Sequence, residues 1–510
     1  MLRNAVVAVA CVSLYVIVAP GTEATTDSGV TAAKAPPPSP DTVQLALTGK
    51  HQPVPHSFFG LSVEANELPT YEDAGKLFSR FLGMVRPHDG SKLLLRVGGK
   101  STDDAYWKVT PVGTPKWVFE LGDPWLSQLA TLVKRQDLRV MLDLNLAVHS
   151  PAMAADFARA AARALPHGTL TGLGIGNEPD LYHLQLGLQK ERIATTLAST
   201  PSDWAAGYSP TAYQDDYRTY AQALIASNPH TALVGPDTTS STPSWIAALS
   251  TLTKSGPSLI TMHRYAYSSC YKPGSPFYPT IPGLLKQSAS GGLAVRLHKA
   301  LQIATDADLP LRVTELNSIS CGGQEGVADT FATALWALDA LFELMKAGIA
   351  GVNWHIRPTL HNAPFHILSS GFDAMPELYG LSLFNQMIGR GSQLQLLKQA
   401  NPHHRNLKAW AVRTKNTLKL LLINKDSTQA TVDLSSAQLS PRPAQVSFLK
   451  AHSLGARTGI SLAGRVIGSD ARWHGTRVTS TVRPGAGFYT FKVKPYSAEL
   501  IRLSFPSGSR

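Results

Sequence analysis

Cysteine is scarce in this chain of 510 residues: only Cys11, Cys270 and Cys321. No Cys-pair spacing of a zinc site exists and no His-Glu-x-x-His run, so His263 and His355 are read as hydrogen-bonding groups, not metal ligands. No Gly-x-Ser-x-Gly elbow surrounds Ser62, Ser150 or Ser318, which removes support for serine hydrolase chemistry. No Gly-rich phosphate loop follows the first predicted strand, where Phe58-Phe59-Gly60-Leu61-Ser62-Val63-Glu64 stands instead, so neither dinucleotide binding nor any other cofactor is expected. No Asn-x-Ser/Thr sequon occurs. The net charge is +12, yet Lys and Arg are scattered with no Arg-rich tract, so nucleic acid is not an expected partner. A basic surface favours acidic partners in general, such as sulfated or uronate-containing polysaccharides. Charged residues make up 16% against 44% hydrophobic, the balance of a folded chain.

What is present divides the chain. Residues 1–24 carry Arg3, an apolar run and small residues up to Ala24, the pattern of a secretory signal. The run is short for a membrane span, which needs about 20 residues, and no later stretch resembles one; secretion without stable membrane insertion is the expectation. Residues 25–41 contain the stiff spacer Ala35-Pro36-Pro37-Pro38-Ser39-Pro40. Residues 42–55 alternate like a strand that could pair into a later sheet. From 56 to 390 short apolar runs alternate with helical patterns. From 391 to 510 the pattern turns to short alternating strands broken by Gly, Pro and Asn, an all-β sandwich signature.

The expected strands of the middle region are Phe58–Val63, Leu93–Val97, Val140–Leu146, Leu173–Gly176, Ala232–Gly235, Leu259–His263, Leu311–Thr314 and Ala350–Trp354. Eight buried strands separated by helices predict a (β/α)8 TIM barrel, an α/β fold, followed by the C-terminal sandwich. Polar residues at barrel strand ends converge on one mouth. They are Glu64, Arg96, Asn145, Asn177 with Glu178, Asp237, His263 with Tyr265, Glu315 with Asn317, and Trp354 with His355. Tyr106, Trp107, Tyr267 and Trp354 are read either as sugar-stacking platforms or as core aromatics. Arg96 is read either as substrate-facing or as the cation that keeps a carboxylate ionised. Cys270 and Cys321 both follow strand ends on one face; a disulfide is expected, with a free pair as the alternative.

Glu178 ends the fourth strand and Glu315 the seventh. Two carboxylates across one pocket are the equipment of glycosidic bond cleavage, and a separation of about 5 to 5.5 Å would retain anomeric configuration. In Gly174-Ile175-Gly176-Asn177-Glu178-Pro179-Asp180, Pro179 disfavours helix at Glu178 and predicts a sharp exit from the strand. With Leu95-Arg96-Val97-Gly98-Gly99, Thr314-Glu315-Leu316-Asn317-Ser318, Cys321-Gly322-Gly323, Asp329-Thr330-Phe331-Ala332 and Gly351-Val352-Asn353, the chain resembles glycoside hydrolase family 79, the heparanase and β-glucuronidase family of the retaining (β/α)8 clan.

The resemblance implies Glu178 as acid/base, Glu315 as nucleophile and Asn177 on the sugar 2-hydroxyl. It further implies Glu64 on another hydroxyl, Tyr265 as support for the nucleophile, and Gly322-Gly323 facing the C6 substituent. Two family tyrosines that grip a uronate carboxylate are missing: Cys321 holds one place, and no tyrosine lies between His355 and Glu377. Arg357 or His361 is the substitute on offer. The expected activity is therefore cleavage of a β-linked glycoside, a β-glucuronide included, in an oligo- or polysaccharide or other glycoside. A β-glucosidase or β-xylosidase activity and a non-catalytic carbohydrate-binding barrel are the alternatives.

Overall fold

A computed structural model describes residues 41–108, 118–182, 207–228, 230–239, 242–252 and 255–506. The expected signal segment and all of the spacer but Asp41 lie outside them. Among the described residues no helix is long and apolar enough to cross a membrane.

Strand β1 (Thr42–Pro53) precedes eight strands that close into a parallel barrel: β2 (Phe59–Glu64), β3 (Leu94–Gly98), β4 (Arg139–Leu144), β5 (Leu170–Ile175), β6 (Leu233–Thr238), β7 (Leu259–Ser268), β8 (Leu311–Ser320) and β9 (Gly351–Ile356). The expected (β/α)8 barrel is borne out strand by strand. Its strands are buried along most of their length because both faces are covered, one by the barrel interior and one by helices. Six outer helices enter the argument: α1 (Gly75–Val85), α2 (Asp123–Gln136), α3 (Pro151–Ala164), α4 (Pro210–Ser227), α5 (Phe331–Lys346) and α6 (Pro376–Met387). Helices α3 and α4 begin alike, with Ser150 and Ser209 accepting from the backbone N–H three residues on and a proline in the first turn.

Helix α5 is apolar on nearly every side, and α6 is nearly as buried. Such helices must be covered all round. The cover is the C-terminal sheet: β10 (Gln393–Ala400), β11 (Leu407–Arg413), β12 (Thr417–Asn424), β13 (Ala430–Ser435), β14 (Ala444–Lys450), β15 (Phe488–Val493) and β16 (Ser497–Ser504). The pairing order β14-β16-β12-β11-β10-β1-β13-β15 is continuous, with β1 antiparallel to β10 and parallel to β13. Along β12 the side chains divide by the period of two. Leu418, Leu420 and Leu422 enter the sandwich core, whereas Leu421 and Ile423 join the barrel core. That double burial is why Leu420-Leu421-Leu422-Ile423 shows no alternation. At the same junction Trp410 stacks on Phe342 at 5.5 Å, and Lys425 donates to the buried Asp339 at 2.6 Å.

Candidate active site

Arg96, on β3, points inward and is fully buried under the barrel mouth. Its Nη1 donates to Glu315 Oε2 at 3.0 Å and to Ser62 at 3.1 Å; its Nη2 donates to Asn177 Oδ1 at 2.9 Å. Asp143 lies 2.6 Å and Asp237 3.4 Å from the same Nη2. The carboxylate of Asp143 fills the space where Gly98 and Gly174 would carry a Cβ. Those two glycines, on β3 and β5, therefore make room for the counter-ion of Arg96. A single cation shared among three carboxylates fixes the strand ends relative to one another.

Glu178 leaves β5 on a left-handed backbone, φ 50° and ψ 53°. The residue before a proline prefers extended conformations, and a left-handed one costs about 1–2 kcal/mol. Here Glu178 N donates to Asp237 O at 3.1 Å, and Leu181 N donates to Glu178 O at 2.8 Å, which hold it there. The turn aims Glu178 Oε1 at His263 Nδ1, 2.9 Å away. One oxygen of Glu178, one of Glu315 and a ring nitrogen of His263 all lie within 4.8 Å of one another. The two carboxylates thus face each other across one pocket.

Their protonation differs because their neighbours differ. Burial raises the Glu178 carboxyl above its ordinary value, and the Glu315 charge adds to that, more than His263 offsets. Burial also pushes Glu315 up, but His355, His263, Arg96 and the Tyr265 hydroxyl together outweigh it and hold it down at about 2. Tyr265 donates to Glu315 Oε1 at 2.5 Å. Burial opposes a charge on His263, yet Glu315, Asp237 and Glu178 raise it to about 10. The site therefore favours the proton on Glu178 and the charge on Glu315. The Glu178–His263–Glu315 trio has the right atoms for a metal, but a protonated His263 offers no lone pair to one, and Arg96 already neutralises Glu315.

No protein-family model matches the chain, and no curated protein does. Solved structures do. A 4-O-α-L-rhamnosyl-β-D-glucuronidase from Fusarium oxysporum 12S, in complex with Rha-GlcA, superposes with a TM-score of 0.72 over 90% of this chain and 99% of that one, at 16% identity. A family 51 arabinofuranosidase from Xanthomonas axonopodis pv. citri gives 0.64 over 91% and 99%, at 14% identity. A family 30 subfamily 8 xylanase, Xyn30A, from Clostridium acetobutylicum gives 0.52 over 91% and 100%, at 13% identity. The chain has the fold of glycoside hydrolases.

Around the two glutamates the other candidates sort by burial. Asn177 has its Oδ1 tied to Arg96, and its Nδ2 hydrogens have no partner among the described residues, so they remain for a ligand. Glu64 accepts from Ser101 N at 2.9 Å and from Ser101 Oγ at 2.5 Å, with His355 Nε2 3.9 Å from its other oxygen. Cys270 and Cys321 form a disulfide, their Cα atoms 5.9 Å apart. Cys321, Gly322 and Gly323 follow β8 with φ of 58°, 85° and 84°, and Gly323 packs against the backbone of Asn362. Three successive left-handed residues explain two glycines at this place.

Three expectations need correction. Trp354 is no platform at the mouth: it is fully buried, its Nε1 donates to Glu377 at 2.9 Å, and its ring packs on Trp336 at 5.6 Å. It faces outward from β9 towards α5 and α6, whereas His355 faces the pocket. Arg96 does not reach substrate either, since the residues it binds cover it completely. Trp107 is likewise core, against Phe157, with its Nε1 on Asp156. Asn145 is buried and pins the 103–105 loop through Asp103 O and Ala105 O.

Three contributors went unread in the sequence. Asp143 was signalled by a carboxylate between two leucines inside a strand expected to be buried. Asp103, raised by burial to about 6, receives Tyr182 Oη at 2.8 Å and the Asn177 N–H at 3.4 Å. Ser101 holds Glu64. Nothing local marks the last two.

Proposed function

We propose that the protein is a glycoside hydrolase that cleaves a β-linked glycoside with retention. The observation that carries this reading is the pair of glutamates within 4.8 Å, one raised and one lowered. That proximity suits a retaining pair, whose carboxyl groups sit closer together than those of an inverting enzyme. Glu315, ionised, attacks the anomeric carbon; Glu178, protonated, gives its proton to the departing oxygen. A covalent glycosyl-enzyme forms on Glu315. Glu178, now a carboxylate, takes a proton from water as that water displaces Glu315 and restores the starting state. Asn177 Nδ2 is placed to bind the sugar 2-hydroxyl, a contact that strengthens in the transition state.

The family 79 resemblance and the glucuronidase that shares the fold favour a uronate as the sugar. One observation favours a neutral gluco- or xylo-configured sugar instead. Arg357, a candidate carboxylate partner, is already paired with Glu67 at 3.0 Å. The disulfide at Cys321 fits an exported enzyme working in an oxidising compartment.

Nitrophenyl glycosides of glucuronate, glucose and xylose test both levels. Glu315→Gln is expected to abolish turnover of every substrate. Glu178→Gln is expected to lose about 10²–10⁴-fold on alkyl glycosides and far less on nitrophenyl ones, which need little protonation. Equal losses on both leaving groups would refute the acid/base role. Turnover confined to the glucoside or xyloside would refute the uronate.

A further inference from the structure

Cations are spread along the chain, but acids are not. Between Leu434 and Glu499 nine Lys and Arg stand against one acid, Asp470, so this stretch supplies most of the net charge of +12. Some of these cations are engaged: Arg457 with Glu325 and Asp329, Arg472 with Asp470. Arg477, from this stretch, joins two cations from outside it, Lys419 and Arg502, on one face of the sandwich. Lys419 on β12 stands directly opposite Arg502 on β16, Arg502 opposite Gln445 on β14, and Gln445 opposite Thr481 on the short edge strand Ser480–Val482. All four share a face, the one that carries Leu421 and Leu500 towards the barrel further along. Successive strands lie about 4.8 Å apart, so the row spans roughly 15 Å.

Arg477, three residues before the edge strand, lies close enough to Arg502 for their charges to repel, and Lys419 acts likewise on His88. Burial and the Arg502 charge together bring Lys419 down to about 8. Like charges directly opposite on neighbouring strands are destabilising, and no carboxylate among the described residues pairs with Lys419, Arg477 or Arg502. Lys419 reaches only the carbonyls of Gln386 and Met387, at the end of α6. Arg502 is half-buried with no hydrogen-bond partner among the described residues; Gln445, Thr481 and Arg477 are exposed. His88 lies between α1 and β3, which places the row beside the face of the barrel away from the mouth.

We infer that this row is a docking site for an anionic polysaccharide, separate from the catalytic pocket. Its length and line of donors suit a chain of repeated sulfates or carboxylates more than a single small anion. Binding there would hold the enzyme on a polymer while the mouth stays open.

The full-length protein is titrated with dextran sulfate, polygalacturonate, neutral dextran and a DNA duplex at several salt concentrations. The double variant Arg477→Gln/Arg502→Gln is compared with Lys134→Gln/Lys299→Gln, which removes the same charge from exposed barrel helices. The row variant should bind dextran sulfate or polygalacturonate roughly five- to tenfold more weakly, with a shallower salt dependence, while the barrel variant binds like wild type. Removing two mutually repelling cations should leave the melting temperature unchanged or raised at low salt. Turnover of a small nitrophenyl glycoside should be the same in all three proteins, and the binding result stands whether or not turnover is seen. Equal weakening in both variants would show diffuse charge and overturn the site. Tighter binding to DNA than to either polysaccharide would overturn the partner.

Discussion

The hydrogen bond from Tyr265 to Glu315 offers a direct test of how the nucleophile is kept ionised. Tyr265→Phe removes the hydroxyl 2.5 Å from Oε1 and leaves Arg96 on Oε2. A hydrogen bond to a charged group contributes about 1.5–3 kcal/mol. At about 1.4 kcal/mol per pH unit, its loss should raise the Glu315 carboxyl by about one to two units, from about 2 to roughly 3–4. In the proposed mechanism Glu315 must be ionised to attack, so the acid limb of kcat/KM should move up by that amount. The alkaline limb, set by Glu178, should move far less. The sign for stability follows from the same shift. A carboxyl lowered on folding contributes stability above its unfolded value near 4.5, and that contribution disappears as pH falls through about 2. The variant should therefore lose this contribution at higher pH than wild type. Initial rates on a nitrophenyl glycoside, taken briefly after transfer from neutral pH to between pH 2.5 and 9, read the limb before acid unfolding intervenes. An acid limb that does not move would show that the phenol does not hold the charge on Glu315.

Three further outcomes follow from the packing. Gly98→Ala would set a methyl on the carboxylate of Asp143 and displace Arg96; kcat should fall about 100-fold or more, whereas Gly49→Ala, with open space around it, should be silent. Lys425→Met leaves Asp339 buried beside the sandwich and should cost about 3–5 kcal/mol by denaturant titration, with much of the loss recovered in Lys425→Met/Asp339→Leu. Replacing Cys270 and Cys321 by serine opens a loop with a sequence separation of 51; by chain entropy the loss is roughly 4 kcal/mol, read as a lower denaturation midpoint.

The acidic pair and the barrel were legible for different reasons. A strand covered on both faces is mostly apolar, so Leu93–Val97 and Leu311–Thr314 announce themselves in spite of Arg96 and Arg312. Strand β10 did not, because its apolar residues are interleaved with glutamines and a lysine in Gln393–Ala400. Glu178 was visible from its place between a glycine-rich strand and a proline. Trp354 misled, since alternation along β9 gives its neighbour His355 to the pocket and sends Trp354 to the helices.

Local order along the chain determined the eight strands, the barrel they imply and the two glutamates at strand ends. It did not determine which glutamate holds the proton, for both follow buried strands and both are carboxylates in low dielectric. Only the closed barrel decided that, by bringing Arg96, His263, His355 and Tyr265 from three different strands around Glu315, and by setting Glu178 against His263. Charge–charge energy depends on distance in space, and positions along the chain carry no such distance until the fold supplies it.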